Sequence, residues 1–361
     1  MQIDPSRNER SSMINAIVIG ASGYSGAELL RLLSLRDDVV LSGAVANTSA
    51  GKKVPELYPA FAGELVLEFT TLESARLEGC DVAFVALPQG EGMRVVPGLL
   101  GKVGRVIDLG GDFRLPDATL YQAFYGREHT ASALLGKAVY GLPELNRDLI
   151  EGAGLVANPG CYATGAILPL LPLLKGGVIT PRNIVINSLS GTSGAGRSSS
   201  ADMSFSEVNE NIRAYKVGRH QHIPEICSVL EQASGRSVSV SFVPHLVPLT
   251  RGIYTTIHAE LACAVTEEEL YELYGASYGA APFVRVKREI PEIRDVLRTN
   301  YCDISFVIER RTNQIIILSV IDNLVKGAAG QALQNMNIMF GLPEETGLRP
   351  QSTTITRREL Q

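Results

Sequence analysis

The stretch INAIVIGASGYSGAELLRLLSL, Ile14 to Leu35, decides the fold. INAIVIG is a short apolar run rich in β-branched residues, and AELLRLLSL carries apolar residues at helical spacing, so the stretch reads strand, tight turn, helix. The turn spells GxxGxxG and offers Gly20, Ser22, Gly23, Tyr24, Ser25 and Gly26 as candidate ligand contacts. Glycines at such a turn let a ligand approach the backbone closely, while the free N–H groups and positive end of the helix receive a pyrophosphate. The alternative is a glycine-rich connection that binds nothing.

Working outward, VVLSGAVA (Val39 to Ala46), CDVAFVALP (Cys80 to Pro88) and GRVIDLGG (Gly104 to Gly111) are further apolar strands separated by helix-sized segments. That alternation predicts a parallel sheet buried on both faces. From Asn183 the pattern changes: NIVINSLSG, SVSVSFVPHL, GIYTTIHAEL, PFVRVK, DISFVIER and QIIILSVID include strands that alternate apolar with polar or small residues. The expected fold class is α/β, with a Rossmann-type dinucleotide-binding domain over 13–160 and an α+β domain over 161–322 whose sheet is mixed and largely antiparallel. Asn323 to Leu342 predicts one long helix closing at Gly341 and returning to the first domain. Residues 1–12 and 349–361 are polar and expected to be flexible tails.

A chain of 361 residues fits two domains, at roughly 100–200 residues each. Its net charge of -5, without an extended Lys/Arg run, argues against nucleic acid and anionic membranes and for a small-molecule partner. The sequence shows no apolar run long enough to span a bilayer and no apolar leader, so a cytoplasmic protein is expected. Five widely spaced cysteines without a CxxC predict neither disulfides nor a metal site.

About 20 residues past the glycine turn, a dinucleotide site that prefers NAD carries an acidic residue for the ribose hydroxyl. Here Ala46 to Lys53 reads ANTSAGKK, with hydroxyls including Ser49, an amide and two cations, so NADP(H) is favoured. In ANPGCYATGAILPLLPLL, Ala157 to Leu174, Pro159-Gly160 forces a turn and presents Cys161 at a helix start, where N–H groups and the macrodipole favour thiolate. Pro169 and Pro172 are expected to stop or kink that helix early. Ser190-Gly191-Thr192-Ser193-Gly194 and the residues to Arg197 form a loop suited to an anion such as phosphate. In RHQHIPEI, His220 or His222 can serve as general acid/base. A thiol, a histidine, an anion loop and a nicotinamide site together fit reduction of an acyl phosphate through a thioester.

The stretches YGLPEL (Tyr140 to Leu145), ANPGCYATGA, SGTSGAGR, AYKVGRHQHIPEI, FVPHLVPLTRGIY and DNLVKGAAGQALQNMNIMFG closely resemble the N-acetyl-gamma-glutamyl-phosphate reductases of arginine biosynthesis, a likeness that runs from Gly20 to about Gly347. The resemblance implies NADPH-dependent, reversible reductive dephosphorylation of N-acetyl-glutamyl 5-phosphate, on the fold shared with aspartate-semialdehyde dehydrogenase. It implies Cys161 as nucleophile and His220, with His222 second, as acid/base. It puts Pro88, Ser193, Gly194 and Asn323 near the cofactor, and Arg114, Asn158, Ser190 and Gly191 near the substrate. A homodimer or homotetramer is implied. Two positions depart from the usual pattern: Asn47-Thr48-Ser49 lacks an arginine, and Gln89 replaces a histidine. Related reductases of aminoadipate-type or aspartyl phosphates, and a non-catalytic NADP sensor, are the alternatives.

Overall fold

The computed structural model describes residues 13–197 and 201–349. The terminal segments expected to be flexible lie outside the described residues, apart from Arg349. The first sheet comprises β1 Ile14–Ile19, β2 Val39–Val45, β3 Phe69–Thr70, β4 Val82–Val85, β5 Arg105–Asp108, β6 Val139–Tyr140 and β7 Leu155–Ala157. Its order is β3-β2-β1-β4-β5-β7-β6 and every pair is parallel. All four residues of β4 are buried, as the uninterrupted apolar run requires of a strand covered on both faces. The order reverses between β1 and β4, and the carboxyl ends of two strands diverging at such a point leave a crevice for a ligand.

The second sheet comprises β8 Ile184–Ser190, β9 Arg213–Ala214, β10 Val240–Leu246, β11 Ile253–Glu260, β12 Val284–Val286, β13 Cys302–Glu309 and β14 Gln314–Ile321, in the order β12-β13-β14-β11-β8-β10-β9. β8 pairs with β10, and β12 with β13, in parallel; the other pairs are antiparallel, so the sheet is mixed. In β11 Ile253, Thr255, Ile257 and Ala259 are buried while Tyr254, Thr256 and His258 are half-buried. Ile253, Ile257 and Ala259 pack into one core with apolar residues of the helices Cys161–Lys175, His222–Ser234 and Glu267–Tyr278.

Two expectations about helices are corrected. The helix that begins at Cys161 continues through Pro169 and Pro172 to Lys175. Pro172 has no N–H for the Leu168 carbonyl one turn back, and the Tyr278 hydroxyl donates to that carbonyl at 2.6 Å instead; the Tyr274 hydroxyl donates to the neighbouring Pro169 carbonyl at 2.5 Å. The segment from Asn323 is not one helix. A π-helical turn, Val325–Ala329, precedes an α-helix, Gly330–Met339. Ala329, Ala332, Leu333 and Met336 pack in one core with Val18, Leu29 and Phe84, on the first sheet and its first helix. Among the described residues no helix is long and apolar enough to cross a membrane.

Candidate active site

A cleft of about 1430 Å³ runs from the carboxyl ends of the first sheet to the carboxyl ends of β8 and β10 in the second. At one end lies the glycine turn. Gly20 has φ +88°, a conformation that disfavours side chains, and a Cβ there would strike the Ala86 carbonyl beyond β4. Gly23 caps the helix Tyr24–Ser34 without a side-chain hydrogen bond, and no acidic residue occupies the first turn. The helix therefore presents uncovered N–H groups at a positive end, with Ser22, Gly23, Tyr24 and Ser25 lining the cleft. This end fits the pyrophosphate of a dinucleotide. Gly26 lies behind it, tight against the Gly20 carbonyl.

Beyond β2, Asn47 and Thr48 line the cleft, whereas Ser49 is buried and is not among the lining residues. Pro88 lines the wall just past Ala86 and Leu87, beside the glycine turn, and Ser190, Gly191, Ser193, Gly194 and Asn323 line it at the other end. Asn323 Nδ2 donates to Ser193 Oγ at 2.9 Å and its Oδ1 accepts the Gly252 N–H at 2.8 Å, which fixes both side chains.

Cys161 is the first residue of its helix, behind Gly160, and lines the cleft between the two ends. Gly327, in the π-helical turn, approaches so closely that a Cβ there would lie 2.7 Å from Cys161 Cβ. Burial pushes the Cys161 thiol up to about 11, against the opposing pull of Arg114 and the Tyr162 N–H; Glu225 adds to the rise. The expectation of a resting thiolate is thus corrected. The helix start is present, but desolvation of the charged form outweighs it.

The two histidines differ in what their nitrogens do. His220 is buried beside the rings of Tyr162, Tyr215 and Phe242, and its Nδ1 lies 3.1 Å from the His222 backbone N–H. A backbone N–H can only donate, so neutral His220 carries its proton on Nε2. Burial pushes its pKa down to about 2, with His222 and Lys216 adding to the fall. His222 Nε2 lies 3.3 Å from Arg114 Nη1, which likewise can only donate, so the His222 proton sits on Nδ1, buried without a partner. Burial, then Arg114 and Lys216, hold His222 well below the usual range as well.

Arg114 is held by protein groups on every side: Nε donates to the Asn158 carbonyl and Nη2 to the Leu109 carbonyl, both at 2.8 Å, while Nη1 lies 3.6 Å from Glu225 Oε2. It still lines the cleft. Asn158 is fully buried and does not line it; its Nδ2 donates to the Ala328 carbonyl at 3.1 Å and its Oδ1 accepts from Asn335 at 3.1 Å. The structure thus puts Asn158 behind the wall, tying β7 to the π-helical turn, rather than against a substrate.

Sequence reasoning missed Glu225, whose Oε1 accepts the Gly160 N–H and the Tyr140 hydroxyl, each at 2.8 Å. It also missed Gly327, Tyr162, Arg213, Tyr215 and Lys216 of the cleft wall. Tyr215 and Lys216 lie in AYKVGRHQH, Tyr162 in ANPGCYATGA and Gly327 in DNLVKGAAGQ, so only Arg213 stood outside those stretches; the φ of +44° at Lys216, rare for a side-chain-bearing residue, marks a constrained backbone beside the histidines.

A dinucleotide crevice whose wall includes a helix-start cysteine and a buried histidine fits one class, the NAD(P)-dependent oxidoreductases. Residues 15–153 match the family described as semialdehyde dehydrogenase, NAD binding domain, and residues 161–323 the semialdehyde dehydrogenase, dimerisation domain. Aspartate semialdehyde dehydrogenase II of Vibrio cholerae superposes with a TM-score of 0.70 at 17% identity, covering 91% of this chain and 98% of that one. The Candida albicans aspartate semialdehyde dehydrogenase, solved with NADP, gives 0.65 at 19% identity over 91% and 98% of the two chains. These two share the fold. The N-acetyl-gamma-glutamyl-phosphate reductase of Pelotomaculum thermopropionicum is 50% identical across 93% of this chain and 97% of its own length. That of Symbiobacterium thermophilum is 47% identical across 92% and 96%. The chain belongs to the N-acetyl-gamma-glutamyl-phosphate reductase family.

Proposed function

We propose that this chain catalyses the reversible, NADPH-dependent reductive dephosphorylation of N-acetyl-L-glutamyl 5-phosphate to N-acetyl-L-glutamate 5-semialdehyde, in arginine biosynthesis, through a thioester on Cys161. The observation that carries this reading is the single cleft in which Cys161, His220 and the uncovered helix end behind Gly23 face the same space. The dinucleotide would lie with its pyrophosphate on the Gly20–Gly26 turn and its nicotinamide near Ser193, Gly194 and Asn323, where it supplies the hydride.

Cys161 Sγ attacks the acyl carbon, the bond to the phosphoryl oxygen breaks, and the thiol proton leaves on the departing phosphate. A thiol that is neutral at rest suits this, because no stored thiolate is needed: the dianionic acyl phosphate is itself the proton acceptor. After reduction of the thioester carbon the oxygen is negative, and neutral His220, whose Nε2 carries a proton, stabilises it by donating a hydrogen bond. On collapse the negative oxygen re-forms the carbonyl, the C–S bond breaks and the sulfur leaves with the electron pair. One proton from solvent then restores the thiol, as the net reaction requires. Arg114, fixed by the Leu109 and Asn158 carbonyls, supplies positive charge where the phosphate departs.

Cys161→Ser is expected to lose activity by at least three orders of magnitude and to keep NADPH affinity within about threefold. His220→Asn is expected to lower kcat by about 10²- to 10⁴-fold, and His222→Asn by less. Near-normal turnover in Cys161→Ser, read by NADPH absorbance, would overturn the thioester reading.

The working form proposed is a homodimer or homotetramer in the cytoplasm. Val185, His258, Ile316 and Val307 lie in register across β8, β11, β14 and β13 on the sheet face opposite the helices, with Val185 and Val307 exposed. That face belongs to the region matching the dimerisation domain. The five cysteines are free, as suits a reducing compartment. A monomeric mass by light scattering at micromolar concentration would refute the oligomer.

A further inference from the structure

Arg251, which the reaction as described does not use, joins the parts of the site that must be held in register. It stands in the loop between β10 and β11, its side chain three-quarters buried. Nη2 lies 2.5 Å from Glu28 Oε2 and Nη1 3.4 Å from Asp322 Oδ2.

Each partner belongs to a different piece of the machinery. Glu28 is 4% exposed and sits on the helix that starts at the glycine turn. Its burial is outweighed by Arg251 and Arg31, which keep its carboxyl below the usual range and ionised. Asp322, fully buried, follows β14 directly. Its Oδ1 accepts the Leu324 and Val325 N–H groups, and its carbonyl the Gly327 N–H at 2.9 Å, so it shapes the turn that presses on Cys161. The backbone around Arg251 carries the third piece: the Thr250 carbonyl accepts the Ser193 N–H, and the Gly252 carbonyl the Gly191 N–H at 2.9 Å. A buried ion pair contributes little net stability when its desolvation is counted, yet removing one partner is costly, so such a group is suited to fixing geometry.

We propose that Arg251 is a positioning residue that sets the distance between the dinucleotide helix, the Gly191–Gly194 loop and the Cys161 thiol, and so aligns the nicotinamide with the thioester carbon. This rests on the proposed reaction. A displacement of about 1 Å at reacting atoms costs on the order of 10²-fold in rate, so the clamp acts on the hydride step rather than on binding.

The test compares the wild type with Arg251→Met, Arg251→Lys and Glu28→Gln in the reductive dephosphorylation assay, with NADPH or NADPH deuterated at the transferring position. In Arg251→Met, kcat is expected to fall tenfold to a hundredfold while the Kd for NADPH and the alkylation rate of Cys161 stay within about threefold. The isotope effect on kcat is expected to rise, since misalignment makes hydride transfer limiting. Glu28→Gln should reproduce these changes, and the double variant should be no slower than the worse single one. Arg251→Lys keeps the charge and is expected to recover part of kcat. If Arg251→Met does not fold, the lysine and Glu28→Gln variants carry the same readouts. An unchanged kcat and isotope effect, or losses that multiply in the double variant, would overturn the clamp. An inactive wild type would instead overturn the reaction on which it rests.

Discussion

Cys161 stands where a helix start should favour thiolate, and burial decides against it. The unfolded chain ionises this thiol near its ordinary 9.0 and the folded chain near 11, so the fold keeps this stabilising contribution below pH 9 and loses it as pH rises from 9 to 11. Alkylation by iodoacetamide requires thiolate, so its rate at Cys161 in the ligand-free protein is expected to climb with pH through 9.5 without a plateau; a plateau reached by pH 8 would contradict the raised pKa. That the thiol and the histidines would share a cleft wall was legible because each is announced by its neighbours, Pro159-Gly160 and RHQHIPEI. Glu225 was not. Its role depends on the Gly160 N–H, 65 residues away, and nothing local to HIPEI says that this carboxylate faces a turn rather than solvent. Ser49 and Asn158 fail for the same reason. Their polar side chains look available in the sequence, and only the tertiary fold shows one buried and the other already bonded on both amide atoms.

The helix from Cys161 to Lys175 is an element that local rules read wrongly. Two prolines break its ladder, and the Tyr278 hydroxyl from the helix Glu267–Tyr278, about 110 residues on, takes up the Leu168 carbonyl that Pro172 leaves without a donor. Tyr278→Phe strands the Leu168 carbonyl and is expected to cost roughly 1–3 kcal/mol in unfolding free energy. The same change should cost less in a Pro172→Ala background, where residue 172 regains an N–H for that carbonyl. Equal losses in both backgrounds, measured by urea unfolding, would refute the substitution of hydroxyl for amide. The closing segment shows the opposite case, where apolar periodicity located the element but not its form. The π-helical turn follows from Asp322 gathering the Leu324, Val325 and Gly327 N–H groups, and periodicity carries no trace of that.

For the whole molecule, two kinds of sheet were legible because burial on both faces and burial on one leave different sequence patterns, unbroken in β4 and alternating in β11. The strand orders were not legible, since pairing is settled by packing between segments far apart in the chain. Yet that order makes the site: the reversal between β1 and β4 opens the crevice, and β8 and β14 bring Ser190 and Asn323 to its far end. The cleft's chemistry points to an acyl phosphate, and only the substrate's carbon chain separates the close relatives. The most direct measurement is therefore phosphate- and NADP-dependent oxidation of N-acetyl-glutamate 5-semialdehyde by the purified protein, set beside aspartate semialdehyde and an aminoadipate semialdehyde. The expected result is a kcat/KM at least a hundredfold higher for the N-acetyl-glutamate compound, abolished by omitting phosphate. A higher kcat/KM for either rival, or turnover independent of phosphate, would contradict the account.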